Sequence, residues 1–197
     1  MLSMDKKVKL KNGLEVHIRE ITEDDVQRSF RFFSDLPPDD REYLRIDVTD
    51  PVLVEKRVMA ALSDGITRLV GVIDDEIVAD GALELEGFGW KKHIAEIRLI
   101  VARPYQRQGL GMLIARELFL LAAQKKIEEI IIEFMETQAW AANIFKRLGF
   151  HEDAVLHDYV VDMHGNKHDL IIMRCNLEEL WEKLDHYMAE SDWIRTR

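Results

Sequence analysis

A chain of 197 residues, 47% hydrophobic and 32% charged, is long enough for one sizeable core and composed like an ordinary globular protein, so a single domain over 1–197 is expected. Its formal net charge of −10 argues against a general polyanion binder such as a nucleic-acid protein, although one basic pocket can coexist with an acidic surface. No apolar run approaches the roughly 20 residues a bilayer span needs, and Asp5, Lys6 and Lys7 precede any apolar stretch, unlike a signal peptide, so no membrane partner and a cytoplasmic location are expected.

The chain starts like a hairpin over 8–21. Asn12-Gly13 is a strong turn signal, and Leu14, Val16, Ile18 and Ile21 then alternate with Glu15, His17 and Arg19, the period of a first strand. Thr22 before Glu23, Asp24 and Asp25 has the form of a helix N-cap with acid in the first turn; Val26, Phe30 and Phe33 share a face of that helix, and Pro37-Pro38 closes it. A second helix is expected over 52–62, capped by Asp50-Pro51, with Val54, Val58 and Ala61 or Leu62 inward and Gly65 past its end. The apolar, β-prone runs 67–73 and 77–85 form an antiparallel hairpin around Asp74-Asp75-Glu76. A loop, 87–92, leads into the next strand.

That strand spans 94–101, where Ile97, Leu99 and Val101 alternate with Glu96, Arg98 and Ile100 until Pro104 ends the run. From Leu110 the period changes: Leu110, Leu113, Ile114, Leu118 and Leu121 recur at three- and four-residue steps, a helical stripe. Residues 106–111 are therefore a strand-to-helix turn with two glycines and an arginine. Such a turn aims unpaired N–H groups and the positive end of the helix dipole at one point, and Arg107 adds a full charge, so a phosphate or pyrophosphate suits it. A glycine turn that merely joins two elements is the alternative. Two phosphate motifs are excluded by spacing: no Lys-Ser or Lys-Thr follows as in a Walker loop, and Ile114 stands where a dinucleotide fingerprint needs its third glycine.

A short strand over 130–134 and a short helix over 140–148, stopped by Gly149, come next, then a hairpin of 155–163 and 170–176 around His164-Gly165-Asn166-Lys167. The tail 177–188 puts Leu177, Leu180, Trp181, Leu184 and Met188 on one helical face. That stripe docks on the chain's own core or, alternatively, forms a homodimer contact. Cys175 has no partner for a disulfide within the chain and, among Ile171, Ile172, Met173 and Leu177, is a buried small hydrophobe before it is a nucleophile. His157, His164 and His168 have no third close ligand, so no metal is expected; a solvated turn or substrate contact remains for them.

Gln106-Arg107-Gln108-Gly109-Leu110-Gly111 resembles the acyl-coenzyme A pyrophosphate loop of the GNAT superfamily of N-acetyltransferases, Gln/Arg-x-x-Gly-x-Gly/Ala after a strand, at every defined position. The resemblance covers 14–176 through the order of the elements. It implies an α/β (α+β) GNAT fold, with a central mixed, mostly antiparallel, splayed sheet flanked by helices, here with an added C-terminal helix over 177–188. It also implies acetyl-coenzyme A as co-substrate: pantetheine pairing with the backbone of Leu99, Ile100 and Val101, and pyrophosphate held by Arg107, Gln108, Gly109, Leu110, Gly111 and Met112 after Gln106. Phe145-Lys146-Arg147-Leu148-Gly149-Phe150 is similar to the family's Tyr-x-x-Leu-Gly-Phe signature, with Phe145 in place of a tyrosine thought to protonate the departing thiolate. Gln138 replaces an asparagine that contacts coenzyme A, and Asn143 on the same helix competes for that contact. The opening segment, from Asn12-Gly13 to Asp35-Leu36, together with Ala95-Glu96, is most like the acetyltransferase domains of bacterial protein-lysine acetyltransferases.

Acetyl transfer to an amine needs the neutral amine, and a free lysine with a pKa of about 10.4 is neutral in only about one molecule in a few thousand at pH 7. Glu96, on the strand that presents the thioester, is the expected general base, directly or through water; an outward glutamate on a half-exposed strand is the bland alternative. Glu133 is second, and Glu84 and Glu86 are weaker candidates. A backbone N–H near Val101 would steady the oxyanion of the tetrahedral intermediate. Arg98, Arg103 and Lys146 read as surface or phosphate-rim charges. The expected partner is an amine, a protein lysine or a small molecule. A catalytically degenerate acyl-coenzyme A binding or sensing module is the alternative function.

Overall fold

The computed structural model describes residues 5–41, 44, 46–63, 65–85, 87, 89–162 and 164–181, the side chains of 139–141 excepted. Strands β1 (Asp5–Lys9) and β2 (Glu15–Glu20) flank the Asn12-Gly13 turn. Leu14 belongs to the turn rather than to the strand, because Asn12 Oδ1 accepts its N–H at 3.1 Å, and it is exposed. A turn of 3-10 helix, Glu23–Asp25, leads into α1 (Val26–Asp35). Pro38 opens a further short helix, α2 (Pro38–Arg41), as proline can in a first turn. Asp50 caps α3 (Pro51–Ala60), accepting the Val52 N–H at 2.8 Å.

The remaining elements are β3 (Ile66–Ile73), β4 (Glu76–Leu85), β5 (Ile94–Val101), α4 (Leu110–Gln124), β6 (Glu129–Met135), α5 (Ala139–Arg147), β7 (His151–Val161) and β8 (Lys167–Asn176). Strand β7 starts four residues before the expected Val155, since His151, Glu152 and Asp153 are polar and exposed there and give no apolar alternation to read. The eight strands among the described residues make one open sheet in the order β1-β2-β3-β4-β5-β6-β8-β7. Every neighbouring pair is antiparallel except β5–β6, which α4 joins as a parallel crossover.

Each face of the sheet carries its own apolar cluster. On one, Leu110, Ile114, Leu118 and Phe119 of α4 pack with Leu83, Ile97, Ile130, Ile132, Met173 and Cys175, joined by Leu148, Phe150, Leu177 and Leu180. On the other, Phe32 and Phe33 of α1 pack with Val54 and Val58 of α3 over Val70 and Ile77. Residues 177–181 are helical, with Leu177 and Leu180 buried and Trp181 against the first cluster, so this part of the tail stripe docks on the chain's own core; 182–188 lie outside the described residues. Gly81 sets the spacing of β4 and α4, for a Cβ there would come within 2.6 Å of Ile114 Cγ2. No described helix is long and apolar enough to cross a membrane.

Candidate functional site

Strands β5 and β6 run together only briefly. Their registered pairs are Ile94 with Glu129, Ala95 with Ile130 and Glu96 with Ile131, although β5 continues to Val101 and β6 to Met135. On its other edge β5 stays paired with β4 as far as Ala79 and Val101, and the Ala102 N–H bonds the Val78 carbonyl at 2.9 Å. Backbone direction alternates along a strand, so with Ala102 and Ile100 turned to β4, the N–H and C=O groups of Leu99 and Val101 face the opening beside β6. Ile100, expected with them, turns its backbone the other way.

The opening leads to the glycine turn. Arg107 and Gly109 both take left-handed backbone, φ +58° and +93°, which folds the chain sharply into α4. Gly109 stands at the N-cap, and no side chain caps the helix. The first intrahelical bond runs from the Leu113 N–H to the Gly109 carbonyl at 3.1 Å, which leaves the N–H groups of Leu110, Gly111 and Met112 without a partner inside the helix. Gly111 is sterically relaxed: a Cβ there would sit 3.6 Å from Val101 Cγ2. The Gln106 side chain turns back, donating to the Val101 carbonyl at 2.8 Å, and so braces the turn against the strand's end. Arg103, read from the sequence as a surface or phosphate-rim charge, is exposed and forks onto Asp40 of α2 at 2.9 and 3.0 Å.

A cavity of about 260 Å³ adjoins the start of α4, lined by Met112, Asn143, Ile144, Arg147 and Leu148. Asn143 and Met112 thus line one cavity. Arg147, which adds a charge here, was not expected at the site; its place one helical turn after Asn143 is the signal that could have found it. Gln138 is occupied locally, its Oε1 accepting the Met135 N–H at 3.2 Å. The Phe145 ring packs edge-on against Phe150, centroids 5.3 Å apart, as part of the core.

Glu96 and Arg98 project from the same face of β5, as does Glu84 from β4, which is in direct register with Glu96. Arg98 is no simple surface charge. It forks onto Glu96, Nε and Nη2 each 3.2 Å from a carboxylate oxygen, while Nη2 lies 2.9 Å from Glu84. Burial pulls the Arg98 guanidinium down, but the hydrogen bond and charge of Glu96, with Glu84 and Glu133, hold it above its ordinary value. Glu133 faces the same side from β6, two residues beyond Ile131, the partner of Glu96. Glu86 lies outside the described residues.

The ion pairs continue inward along β4 and β3. Arg68 reaches Glu84 at 4.0 Å and Asp80 at 2.6 Å, and Asp80 also takes Arg57 of α3 at 2.9 Å. Burial raises the Asp80 carboxyl, but the two arginines outweigh it and keep the group below the usual carboxylate range. Arg57 also lies 4.4 Å over the Phe33 ring, which locks α3 to α1. The site's carboxylates therefore stand at the outer end of a continuous row of alternating charges.

Two histidines of the last hairpin pair with acids, and His164 is exposed in the turn. His157 pairs with Asp169 at 2.7 Å, and His168 lies between Asp162 and Glu136. Among the described residues no group of three or more His, Cys, Asp or Glu side chains could hold a metal ion.

Residues 22–150 match the model of the acetyltransferase (GNAT) family. No curated protein matches the chain in sequence. Among solved structures, the ribosomal-protein-alanine N-acetyltransferase of Brucella melitensis is 20% identical with a TM-score of 0.70, over 81% of this chain and 98% of that one. The GNAT domain of S. lividans PAT is 18% identical at a TM-score of 0.70, over 87% and 96%. Salmonella typhimurium yncA, solved with its cofactor acetyl-CoA, is 18% identical at a TM-score of 0.70, over 82% and 94%.

Proposed function

The chain belongs to the acetyltransferase (GNAT) family and is an acyltransferase that uses acetyl-coenzyme A; from that premise we propose that its acceptor is a primary amine, a protein lysine before a small amine, attacked directly with Glu96 as general base. The observation that carries this reading is the parting of β5 from β6 beside an uncapped helix N-terminus, with Glu96 at the last registered pair. Acetyl-coenzyme A supplies the activated acetyl group. The backbone edge at Leu99 suits the amides of pantetheine, the turn from Arg107 to the first N–H groups of α4 suits a pyrophosphate, and Met112, Asn143 and Arg147 wall the adjoining cavity. The Val101 N–H, aimed into the opening, would stabilise negative charge growing on the acetyl oxygen.

Glu96 can take a proton only if Arg98 yields. Glu84, already 2.9 Å from the same guanidinium, is the second seat onto which it can move. An incoming alkylammonium would then replace Arg98 at Glu96 and lose its proton there, directly or through water. Glu133 on β6 is the second choice of base. Phe145, at the position of the family's tyrosine, has no proton to give and does not serve as acid. The protein's excess of acid suits a cationic acceptor, and the Brucella neighbour's name sets that enzyme's acceptor on a ribosomal protein, which favours a protein amine here too. A cytoplasmic reaction without nucleic acid fits the same charge.

Coenzyme A release measured against lysine peptides, peptide N-termini and polyamines, with mass spectrometry of the products, tests the reading. Acetyl on lysine Nζ is expected. Acetyl found only on hydroxyls removes the amine assignment, and tight acetyl-coenzyme A binding with no turnover on any amine would favour a sensing module.

A further inference from the structure

His168, near the start of β8, stands between two carboxylates, with Nε2 3.0 Å from Asp162 Oδ2 and Nδ1 3.1 Å from Glu136 Oε1. A neutral imidazole has one N–H and a carboxylate only accepts, so making both contacts requires both ring nitrogens to carry protons. Asp162 is the knot of the β7–β8 turn: its Oδ1 takes the backbone N–H groups of His164 and Asn166, both at 2.8 Å, and its Oδ2 takes the Asn166 amide at 2.9 Å. Glu136 opens the short 3-10 turn after β6, the turn that Gln138 braces and from which α5 departs. The last registered pair of β6 and β8 is Met135 with Leu170, so the ring extends that ladder past its end.

We propose that His168, doubly protonated, is a positioning residue that fixes the β6 end of the cleft and the departure of α5, and thereby tunes acetyl-coenzyme A binding; this rests on the assignment of the cleft given above. The groups facing the ring are Asp162 from the end of β7 and Glu136 from the turn after β6. On its own strand, Asp169 is taken up by His157 and the Asp158 N–H, and Lys167 is exposed. Asp162 first and Glu136 second hold the imidazolium above the ordinary histidine value near 6.5. The tie is therefore complete below that value and is lost as pH rises through the raised one. On losing a proton the ring keeps Asp162, which three other donors hold in place, and its bare Nδ1 then repels Glu136. The start of α5 is released, and the cofactor wall with it.

Ring-nitrogen NMR of the whole chain reads the protonation directly. The expected result is a His168 ring with both nitrogens protonated at neutral pH, titrating above the ordinary range. Calorimetry should show the Kd for acetyl-coenzyme A rising roughly threefold more between about pH 6.5 and 9 in the wild type than in Glu136→Gln or His168→Gln, a fraction of what one charge-assisted hydrogen bond is worth. A ring that titrates at or below the ordinary value, or the same pH slope of Kd in wild type and Glu136→Gln, overturns the proposal. Acetyl-coenzyme A that fails to bind at every pH overturns the cleft assignment and the positional role with it, whereas the ring titration stands on its own.

Discussion

At Glu96 a single guanidinium decides whether a carboxylate is available for proton transfer. With Arg98 forked onto it at 3.2 Å, Glu96 is oriented but engaged, and Glu84 offers the arginine its alternative seat. Glu96→Gln should lower kcat by roughly 10²-fold, the usual worth of a positioned base, measured at saturating acetyl-coenzyme A. Glu84→Gln should instead raise KM for the amine several-fold with a smaller change in kcat, because Arg98 then loses its second charged seat and stays on Glu96; an unchanged KM would refute the two-seat arrangement. Phe145→Tyr should leave kcat nearly unchanged, since that ring is packed against Phe150. The i, i+2 spacing of Glu96 and Arg98 on a strand was enough to put them on one face. What periodicity could not show was Glu84 directly opposite Glu96, because cross-strand register depends on the whole β4–β5 pairing and not on either strand alone. Asp80 was hidden for the same reason: its two arginines come from a neighbouring strand and from a helix earlier in the chain.

The glycine turn and α4 show how two glycines in one motif do different work. Gly109 sits at φ +93°, where a β-branched residue is strained, so Gly109→Val should abolish acetyl-coenzyme A binding by calorimetry while far-UV circular dichroism stays native. Gly111 has ordinary room for a Cβ, and Gly111→Ala should bind within a few-fold of wild type. Gly81 is a third case, structural and remote from the turn. A valine there would drive into Ile114 and Leu118, and should cost about 1–3 kcal/mol in denaturant melts. Elements with a clean period, such as α4 and β5, were legible in the sequence nearly to their ends. The first residues of β7 were not, because an edge strand with polar side chains on both sides carries no alternation. The bulges between Glu152 and Ala154 and between Leu156 and Val160 break its register as well.

On the scale of the whole molecule, one buried acid makes a distinct contribution to the pH dependence of stability. Burial raises the Asp25 carboxyl, but Arg19, the Thr22 N–H and the Thr22 hydroxyl overcome it and bring the pKa down from 3.8 to about 2. The lowered value means that its stabilisation is present above about pH 4 and is lost as pH falls through about 2; allowing for screening it amounts to about 1–2 kcal/mol. Urea melts of wild type and Asp25→Asn should therefore differ at pH 6 and converge toward pH 2, and parallel curves would disprove it. The global architecture was legible because strand and helix periods follow one another in an order that leaves few topologies. The parting of β5 and β6 was not, for β6 alternates buried Ile130, Ile132 and Phe134 with half-buried residues along its whole length, paired with β5 or not. That parting makes the sheet two leaves, β1 to β5 and β6 to β8, sewn by a seam of three residue pairs. A seam so short is where breathing should begin, with the Leu99 and Val101 amides exchanging with solvent ahead of the rest of β5. A ligand lying along it would act as a missing strand. At a hundredfold excess over its Kd it would add about 2.7 kcal/mol, and slowed exchange at those two amides would show that the seam is where the leaves are stapled.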